Sequence, residues 1–364
     1  MLSSSKNYLF FSSDRCGSVD AIVPLFIKLN ITEKAAFSIV FPERRALVQM
    51  LADPLLTRVT KDLNIKLLCV DRAYTEFWSD IWRLCMLIIR PGNRVIFSRS
   101  LNGPKIRLVL LLTKLLRGKN YEAPRQKVPI KFKGIPRKTA NIPYLYQEEG
   151  DFLVLENSGR KGGVCIGYPC FYSDWIAFIK SVAPSIIQGQ LPDECVATDF
   201  FSVFLGSTVS GIFEIEEQKT FINEVLSAIR DIASEDAFIF LKPHPTNNID
   251  EIHQFIPESL RKRVVVTSTN ASVLASVSRL VICRHSSTIL DVVALEKPVI
   301  LFQKFSAHWK KVHADKSCYL QLGIRSAEDL SELKVAISDI LVGNHATISS
   351  KALLVHKEPA TLDL

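Results

Sequence analysis

Short hydrophobic runs alternate along the first half of the chain with longer segments of mixed polarity, of which 18–29 has helical spacing of its apolar residues. The runs predict β-strands, and the segments between them predict helices. The predicted strands are "YLFFSS" (8–13), "AFSIVF" (36–41), "IKLLCV" (65–70) and "RVIFS" (94–98); the predicted helical segments are 18–29, 43–53, 73–88 and 105–117. This alternation is typical of a parallel sheet built from βαβ units.

A second series of the same kind begins near residue 200, after a predicted amphipathic helix ending at 182 and a turn-prone stretch. Its predicted strands are 200–207, 237–245, 263–269, 279–284 and 298–302, and its predicted helices are 218–233, 271–277 and 286–297. We therefore predict an α/β protein with two doubly wound domains, 1–190 and 198–345, and a terminal helix or tail at 346–364. Because ligands bind beyond the carboxyl ends of parallel strands, an interdomain cleft is the expected site.

Composition limits the class of protein. A chain of 364 residues with 48% apolar and 23% charged residues fits a globular protein of more than one core. The apolar stretches at 84–90 and 108–116 are far shorter than the roughly 20 residues of a membrane span. The eight cysteines form no CxxC pair, so we predict neither a zinc site nor a disulfide framework. The start of the chain is typical of a first strand rather than a signal peptide, so a cytoplasmic location is expected.

Positive charge indicates anionic partners. The net charge is +8 and the pI about 9.0. Residues 105–138 contain eleven Lys and Arg residues against the single acid Glu122. We predict that this segment, with Lys127, Lys131 and Lys133, contacts an acidic acceptor or the inner face of an anionic membrane; the alternative is a solvated basic loop. No motif that binds DNA or RNA is present, so no nucleic-acid partner is expected.

Several strand ends place polar groups where a phosphate can bind. His244 follows a predicted strand and Lys242, and it lies between Pro243 and Pro245, which stiffen the loop. An imidazole held in this way can donate to a leaving phosphate; the alternative is a hydrogen-bonded loop histidine. A further strand end, at Gly206, Ser207 and Thr208, carries a weaker indication of a phosphate-binding loop.

A second candidate phosphate site lies where a predicted helix follows the strand 279–284. Ser286, Ser287 and Thr288 supply hydroxyls there, and Asp291 follows one helical turn beyond Ser287. The free N–H groups and positive dipole end of a helix favour an anion. The alternative is ordinary helix capping by serine. Glu296, at the helix end, is interpreted as contacting either a ribose or solvent.

An acidic pair, Glu148 and Glu149, stands directly before Gly150 and after the apolar run Tyr144–Tyr146. Two adjacent acids can form a solvated turn or the acid–base edge of an active site. The residues alone do not decide between these readings.

The set "EEG" at 148–150, "HP" at 244–245 and "SS" at 286–287, in this order, resembles bacterial sialyltransferases and polysialyltransferases of the GT-B fold. The stretch 237–302 also resembles the nucleotide-binding half of capsule Kdo and teichoic-acid transferases, with "KPHP" and "SS…D…KPV". The resemblance implies that Glu148 or Glu149 is the general base for the acceptor hydroxyl. It also implies that His244 meets the phosphate of a CMP donor and that Ser286 and Ser287 hold it.

The expected function is accordingly an inverting, metal-independent glycosyltransferase that uses a CMP-activated acidic sugar, most readily sialic acid. Its acceptor would be a capsule polysaccharide or lipooligosaccharide, anionic or lipid-linked. No cofactor is expected. Two alternatives stay open: a Kdo or glycerol-phosphate transferase with a CMP or CDP donor, and a nucleotide-sugar 2-epimerase.

Overall fold

The computed structural model describes residues 6–12, 17–71, 76–89, 93–98, 119–123, 144–146, 163–191, 199–206, 214–284, 286, 288–302 and 324–343. The chain divides into two compact units, the first ending at Trp175 and the second beginning at Ile176. The predicted domain boundary at 190–198 stays a prediction, because residues 192–198 lie outside the described residues.

The first unit contains a seven-stranded sheet of order β3-β2-β1-β4-β5-β6-β7, in which every neighbouring pair is parallel. Its strands are β1 (Asn7–Phe11), β2 (Ala36–Phe41), β3 (Lys66–Cys69), β4 (Arg94–Phe97), β5 (Lys119–Glu122), β6 (Tyr144–Tyr146) and β7 (Gly163–Cys165). The first four confirm the predicted strands. The chain turns back after β3 to pair β4 with β1, which makes this a doubly wound sheet.

The helices of the first unit are α1 (Gly17–Glu33), α2 (Arg44–Leu51), α3 (Pro54–Asp62) and α4 (Phe77–Ile89); α5 (Ser173–Gln188) continues into the second unit. The predicted helical segment 43–53 ends at Leu51, because Asp53 caps a new helix there and accepts hydrogen bonds from the Leu55 and Leu56 amides. Pro54 then occupies the first helical position, where its missing N–H has no consequence. The predicted helix at 105–117 lies outside the described residues.

The second unit contains a six-stranded parallel sheet of order β10-β9-β8-β11-β12-β13. Its strands are β8 (Phe200–Phe204), β9 (Phe238–Lys242), β10 (Val264–Val266), β11 (Leu280–Cys283), β12 (Val299–Phe302) and β13 (Arg325–Ala327). Its helices are α6 (Ile215–Ile232), α7 (Ile249–Phe255), α8 (Ala271–Val277), α9 (Ile289–Ala294) and α10 (Leu330–Leu341). The predicted class is confirmed, since both sheets are parallel and doubly wound.

The central strands are apolar because they are buried, and β11 and β12 are buried at every residue. One core of the second unit includes Phe221, Leu226, Ile239, Ile282 and Phe302. Among the described helices, none is long and apolar enough to cross a bilayer.

Candidate functional site

The order of the second sheet defines where a ligand would bind. Strand β8 lies in the middle, with β9 and β10 on one side and β11 to β13 on the other. The chain therefore reverses direction across the sheet between β8 and β11. In open parallel sheets, ligands bind outside the carboxyl ends of the strands at such a switch point.

Three predicted loops leave the sheet at this edge. Phe204, at the end of β8, pairs with Lys242 on one side and with Cys283 on the other. Adjacent strands are about 4.8 Å apart, so the segments that follow start within roughly 10 Å of one another. The structure thus brings together the beginnings of the Gly206, His244 and Ser286 segments, which were predicted separately. Ser207, Thr208 and Ser287 lie outside the described residues.

The loop after β9 fixes the ring of His244. Its backbone N–H donates to Asn247 Oδ1 at 2.7 Å, and the Asn247 N–H donates back to the His244 carbonyl at 2.8 Å. The Thr246 N–H donates to His244 Nδ1 at 3.3 Å, and Thr246 Oγ1 lies 2.8 Å from the same atom. Because a backbone N–H can only donate, Nδ1 is an acceptor and the neutral ring carries its proton on Nε2. His244 can therefore donate through Nε2 without being protonated further.

A polar network lies at the neighbouring end of β10. Lys242 Nζ donates to the Ser268 carbonyl at 3.3 Å. Thr267 Oγ1 donates to Gln190 Oε1 at 2.8 Å, and Gln190 Nε2 donates to Thr269 Oγ1. Of these residues, Lys242 was predicted from the sequence, whereas Gln190, Thr267 and Thr269 were not. The usable signal was a run of hydroxyl and amide side chains, 267–270, directly after a strand.

The turn that starts α9 holds a pair of hydroxyls. Thr288 N–H donates to Ser286 Oγ at 3.3 Å, and the two hydroxyl oxygens lie 2.8 Å apart. The helix N-cap is Thr288, whose side chain makes no capping hydrogen bond, so Ser286 belongs to the turn before the helix and does not cap it. The pair has two hydroxyl hydrogens and its mutual bond uses one, so the other can donate to an anion.

Asp291 is a buried residue of α9 that links this helix to α8. Its side chain is buried, and its Oδ1 accepts a hydrogen bond from Ser272 Oγ at 3.2 Å. Ser272 belongs to the first turn of α8, where its N–H donates to the capping side chain of Asn270 at 2.9 Å. An ionised carboxylate only accepts hydrogen bonds, so Asp291 suits hydroxyl partners and not phosphate oxygens.

Glu296 lies at the opposite edge of the sheet. It is exposed, has φ of 57°, and follows α9 three residues before β12 begins. Since the end of α9 leads into the amino end of β12, Glu296 is distant from the carboxyl edge. Of the two interpretations of Glu296, contact with solvent is the one that fits.

Arg284, the residue after β11, is a buried cation that the sequence analysis missed. It is 1% exposed, its Nη1 donates to Gln218 Oε1 at 3.3 Å, and its Nη2 donates to the Glu217 carbonyl at 3.4 Å. The guanidinium carbon lies 4.9 Å from the centre of the Phe221 ring. Burial lowers the pKa of Arg284 to about 10, opposed by the carboxylates of Glu217 and Glu224. Arg284 therefore holds the first turn of α6 against the switch point.

The start of α6 itself is unsuited to a phosphate. Glu214 and Glu217 form a capping box, and Glu216 adds a third carboxylate to the first turn. These groups already satisfy the positive helix end and would repel a second anion. Within the described part of this edge, the hydrogen-bond donors that carry no neighbouring carboxylate pair are those of His244 and the Ser286–Thr288 pair.

The predicted residues of the first unit cannot be compared in the same way. Glu148 and Glu149, and likewise Lys127, Lys131 and Lys133, lie outside the described residues. Strand β6 ends at Tyr146, two residues before Glu148, so the acids do follow a strand of the parallel sheet. No cluster of three His, Cys, Asp or Glu side chains suited to a metal occurs within the described ranges. The metal-independent mechanism stays a prediction.

Solved structures share this two-unit architecture. UDP-GlcNAc 2-epimerase from Methanocaldococcus jannaschii superposes with a TM-score of 0.58 at 9% identity, over 96% of this chain and 99% of the epimerase. The wall teichoic acid polymerase TagF, in a structure soaked with CDPG, gives 0.57 at 10% identity, over 99% and 85%. UDP-GlcNAc 2-epimerase from Neisseria meningitidis, bound to UDP-GlcNAc, gives 0.52 at 10% identity, over 96% and 98%.

No protein-family model matches the sequence, and no curated protein matches it either. The structural likenesses, at identities of 9–10%, establish the fold and not the activity. The fold is of the GT-B type predicted from the motifs. None of these structures bears on the sialyltransferase motifs themselves.

Proposed function

We propose that this protein is a nucleotide-sugar-dependent glycosyltransferase whose second unit binds the donor phosphate at the carboxyl edge of β8, β9 and β11. The observation that carries the proposal is the hydrogen bond from the Thr246 N–H to His244 Nδ1, from which we infer that the neutral ring carries its proton on Nε2. His244 follows a strand at the same edge of the sheet as the Ser286–Thr288 hydroxyl pair. Hydrogen-bond donors that the fold already holds in position around a leaving phosphate stabilise the negative charge that develops on it.

The reaction we propose is a direct displacement. The acceptor oxygen forms a bond to the anomeric carbon, and the bond from that carbon to the donor phosphate oxygen breaks. The nucleotide leaves with the electron pair, and its phosphate accepts a hydrogen bond from His244 Nε2. The proton of the acceptor hydroxyl passes to Glu148 or Glu149, which is the base in this scheme.

The donor we propose is a CMP-activated acidic sugar. The motif resemblance supports it, and so does the modest positive charge of the described edge. Lys242 is a cation there, whereas the Arg284 guanidinium is directed at α6. At the phosphate itself a CMP-sugar carries one negative charge and a diphosphate carries two, so that phosphate needs fewer cationic partners; the carboxylate of the acidic sugar is a separate charge. A CDP-linked donor is the closest alternative, since TagF, seen with CDPG, has the same fold.

A 2-epimerase is the second candidate, supported by the fold shared with two UDP-GlcNAc 2-epimerases. An epimerase needs no separate acceptor site and would leave the basic segment 105–138 without a role. We therefore rank it below transfer.

A panel of donors tests these proposals. Purified protein is incubated with CMP-sialic acid, CMP-Kdo, CDP-glycerol or UDP-GlcNAc, with and without neutral and sialylated oligosaccharides. We expect CMP to be released from CMP-sialic acid only when an oligosaccharide is present. The His244→Ala variant should lose this release. Acceptor-dependent release from CDP-glycerol would correct the donor and keep the transferase. Conversion of UDP-GlcNAc to its C2 epimer without an acceptor would overturn the transferase function.

A further inference from the structure

Helix α4 has one face in the core of the first unit. Leu84 and Ile88 are buried and pack with strand residues of the sheet. Asp80, on the same face, is 2% exposed and accepts a hydrogen bond from the Cys69 N–H at 2.8 Å. Positions 80, 84 and 88 recur every four residues, so they fix which side of the helix faces the sheet.

The opposite face of α4 is also apolar, and it is exposed. Trp78 is 80% exposed, Trp82 68%, Met86 48% and Ile89 55%. Their spacing of four, four and three residues aligns them along one stripe. The stripe runs about 17 Å along the helix at 1.5 Å per residue. We call these four residues the α4 stripe.

Such a stripe indicates a partner. Single exposed apolar residues are ordinary on protein surfaces, whereas a contiguous patch rich in aromatic groups marks an interaction surface. Tryptophan prefers the boundary between lipid headgroups and acyl chains, where its ring is buried and its N–H is solvated. With 13 residues, α4 is too short to span a bilayer but long enough to lie along its surface.

Charge identifies the kind of surface. The chain carries +8, and the segment 105–138, which follows α4 in sequence, has eleven basic residues and one acid. The one basic residue of α4, Arg83, pairs with Asp80 at 3.2 Å and with Glu76 at 3.8 Å, so the positive charge comes from the segment and not from the helix. Anionic lipids attract basic segments that lie near the membrane surface. A second copy of the chain would bring the same net positive charge, which opposes self-association.

We infer that the α4 stripe docks this protein onto an anionic membrane surface, with the tryptophans inserted at the headgroup boundary. The inference does not depend on the identity of the donor or on the proposed transfer. It adds a defined apolar anchor to the charge attraction that the sequence predicted for Lys127, Lys131 and Lys133.

The test compares the full chain with a Trp78→Ser/Trp82→Ser double variant in co-sedimentation with vesicles. The vesicles contain phosphatidylglycerol and phosphatidylethanolamine, or phosphatidylcholine alone. A Val335→Ser/Val342→Ser variant is the matched control, because those residues are 57% and 67% exposed in the second unit. Thermal melting of each variant checks that the fold is retained.

We expect the wild type and the valine control to bind anionic vesicles equally. Each tryptophan removed should weaken partitioning about 10-fold, so the double variant should bind roughly 100-fold more weakly. Wild-type fluorescence should be quenched by lipids brominated in the acyl chain, and the tryptophan variant should lose that quenching. A Lys127→Glu/Lys131→Glu/Lys133→Glu variant should weaken binding mainly at low salt.

Two results would overturn the inference. The first is equal binding of anionic vesicles by the wild type and the tryptophan variant. The second is a wild-type dimer in sedimentation velocity that the tryptophan variant abolishes, without vesicle binding by either protein. The second result would assign the α4 stripe to a partner copy of the chain.

Discussion

Replacing His244 by alanine is expected to lower the rate of transfer by about 10²–10⁴-fold, the range for a positioned acid–base group. It should also weaken nucleotide binding about 10-fold or more, because a hydrogen bond to a charged group is lost. The physical reason is specific to one atom. Thr246 holds Nδ1 as an acceptor, so only Nε2 can donate toward a phosphate. Steady-state rates and calorimetric titration with CMP measure the two effects.

Two amides make the His244 experiment selective. In His244→Gln, the side-chain amide reaches near the position of Nε2 and can donate, so part of the activity should return. In His244→Asn, the amide lies near the position of Nδ1 and should rescue little. His253→Ala is the control, since His253 is an exposed histidine on α7 of the same unit. Equal activity of His244→Ala and the wild type would remove His244 from the mechanism.

Replacing the general base is expected to have a comparably large effect. One of Glu148→Gln and Glu149→Gln should lower turnover by about 10²–10⁴-fold, with the melting temperature nearly unchanged. Glutamine keeps the shape and hydrogen-bonding reach of glutamate but cannot accept the proton. The two variants should differ, because only one carboxylate can face the acceptor hydroxyl.

The glutamate variants should separate chemistry from donor binding. Both should bind CMP as the wild type does, since the donor phosphate is assigned to the second unit. Glu258→Gln is a suitable control, because Glu258 is 81% exposed and pairs only with the surface residue Arg261 among its described ion pairs. Full activity of both Glu148→Gln and Glu149→Gln would mean that the acidic pair is only a turn.

Most of the strands could be predicted, because a strand that is buried on both faces consists of a continuous run of hydrophobic residues. The short strand β5 shows the limit. Its sequence, "KNYE", has one apolar residue, Tyr121, which is buried. These residues form a strand because Arg94 to Phe97 of β4 pair with them in register. Such pairing depends on residues about 25 positions away, which a local pattern does not encode.

For the same reason, some residues of the candidate site could be predicted from local sequence patterns and others could not. His244 and Ser286 could be found because each closely follows a strand that is visible as an apolar run. The Gln190 network could not, because Gln190 lies 77 residues from Thr267 and 79 from Thr269 in sequence. Arg284 was missed for a similar reason, since its partner Gln218 is 66 residues away. The apolar run within α4 is visible in the sequence, but only the structure shows which of its residues are buried and which are exposed.

Amide hydrogen exchange of the full chain, with and without CMP, tests the central claim most directly. The account predicts that CMP slows exchange in peptides covering 242–246 and 284–290, and that cytidine, which lacks the phosphate, does not. Protection of these peptides should weaken in His244→Ala. Protection confined to the first 140 residues would contradict the assignment of the donor phosphate to the carboxyl edge of the second sheet.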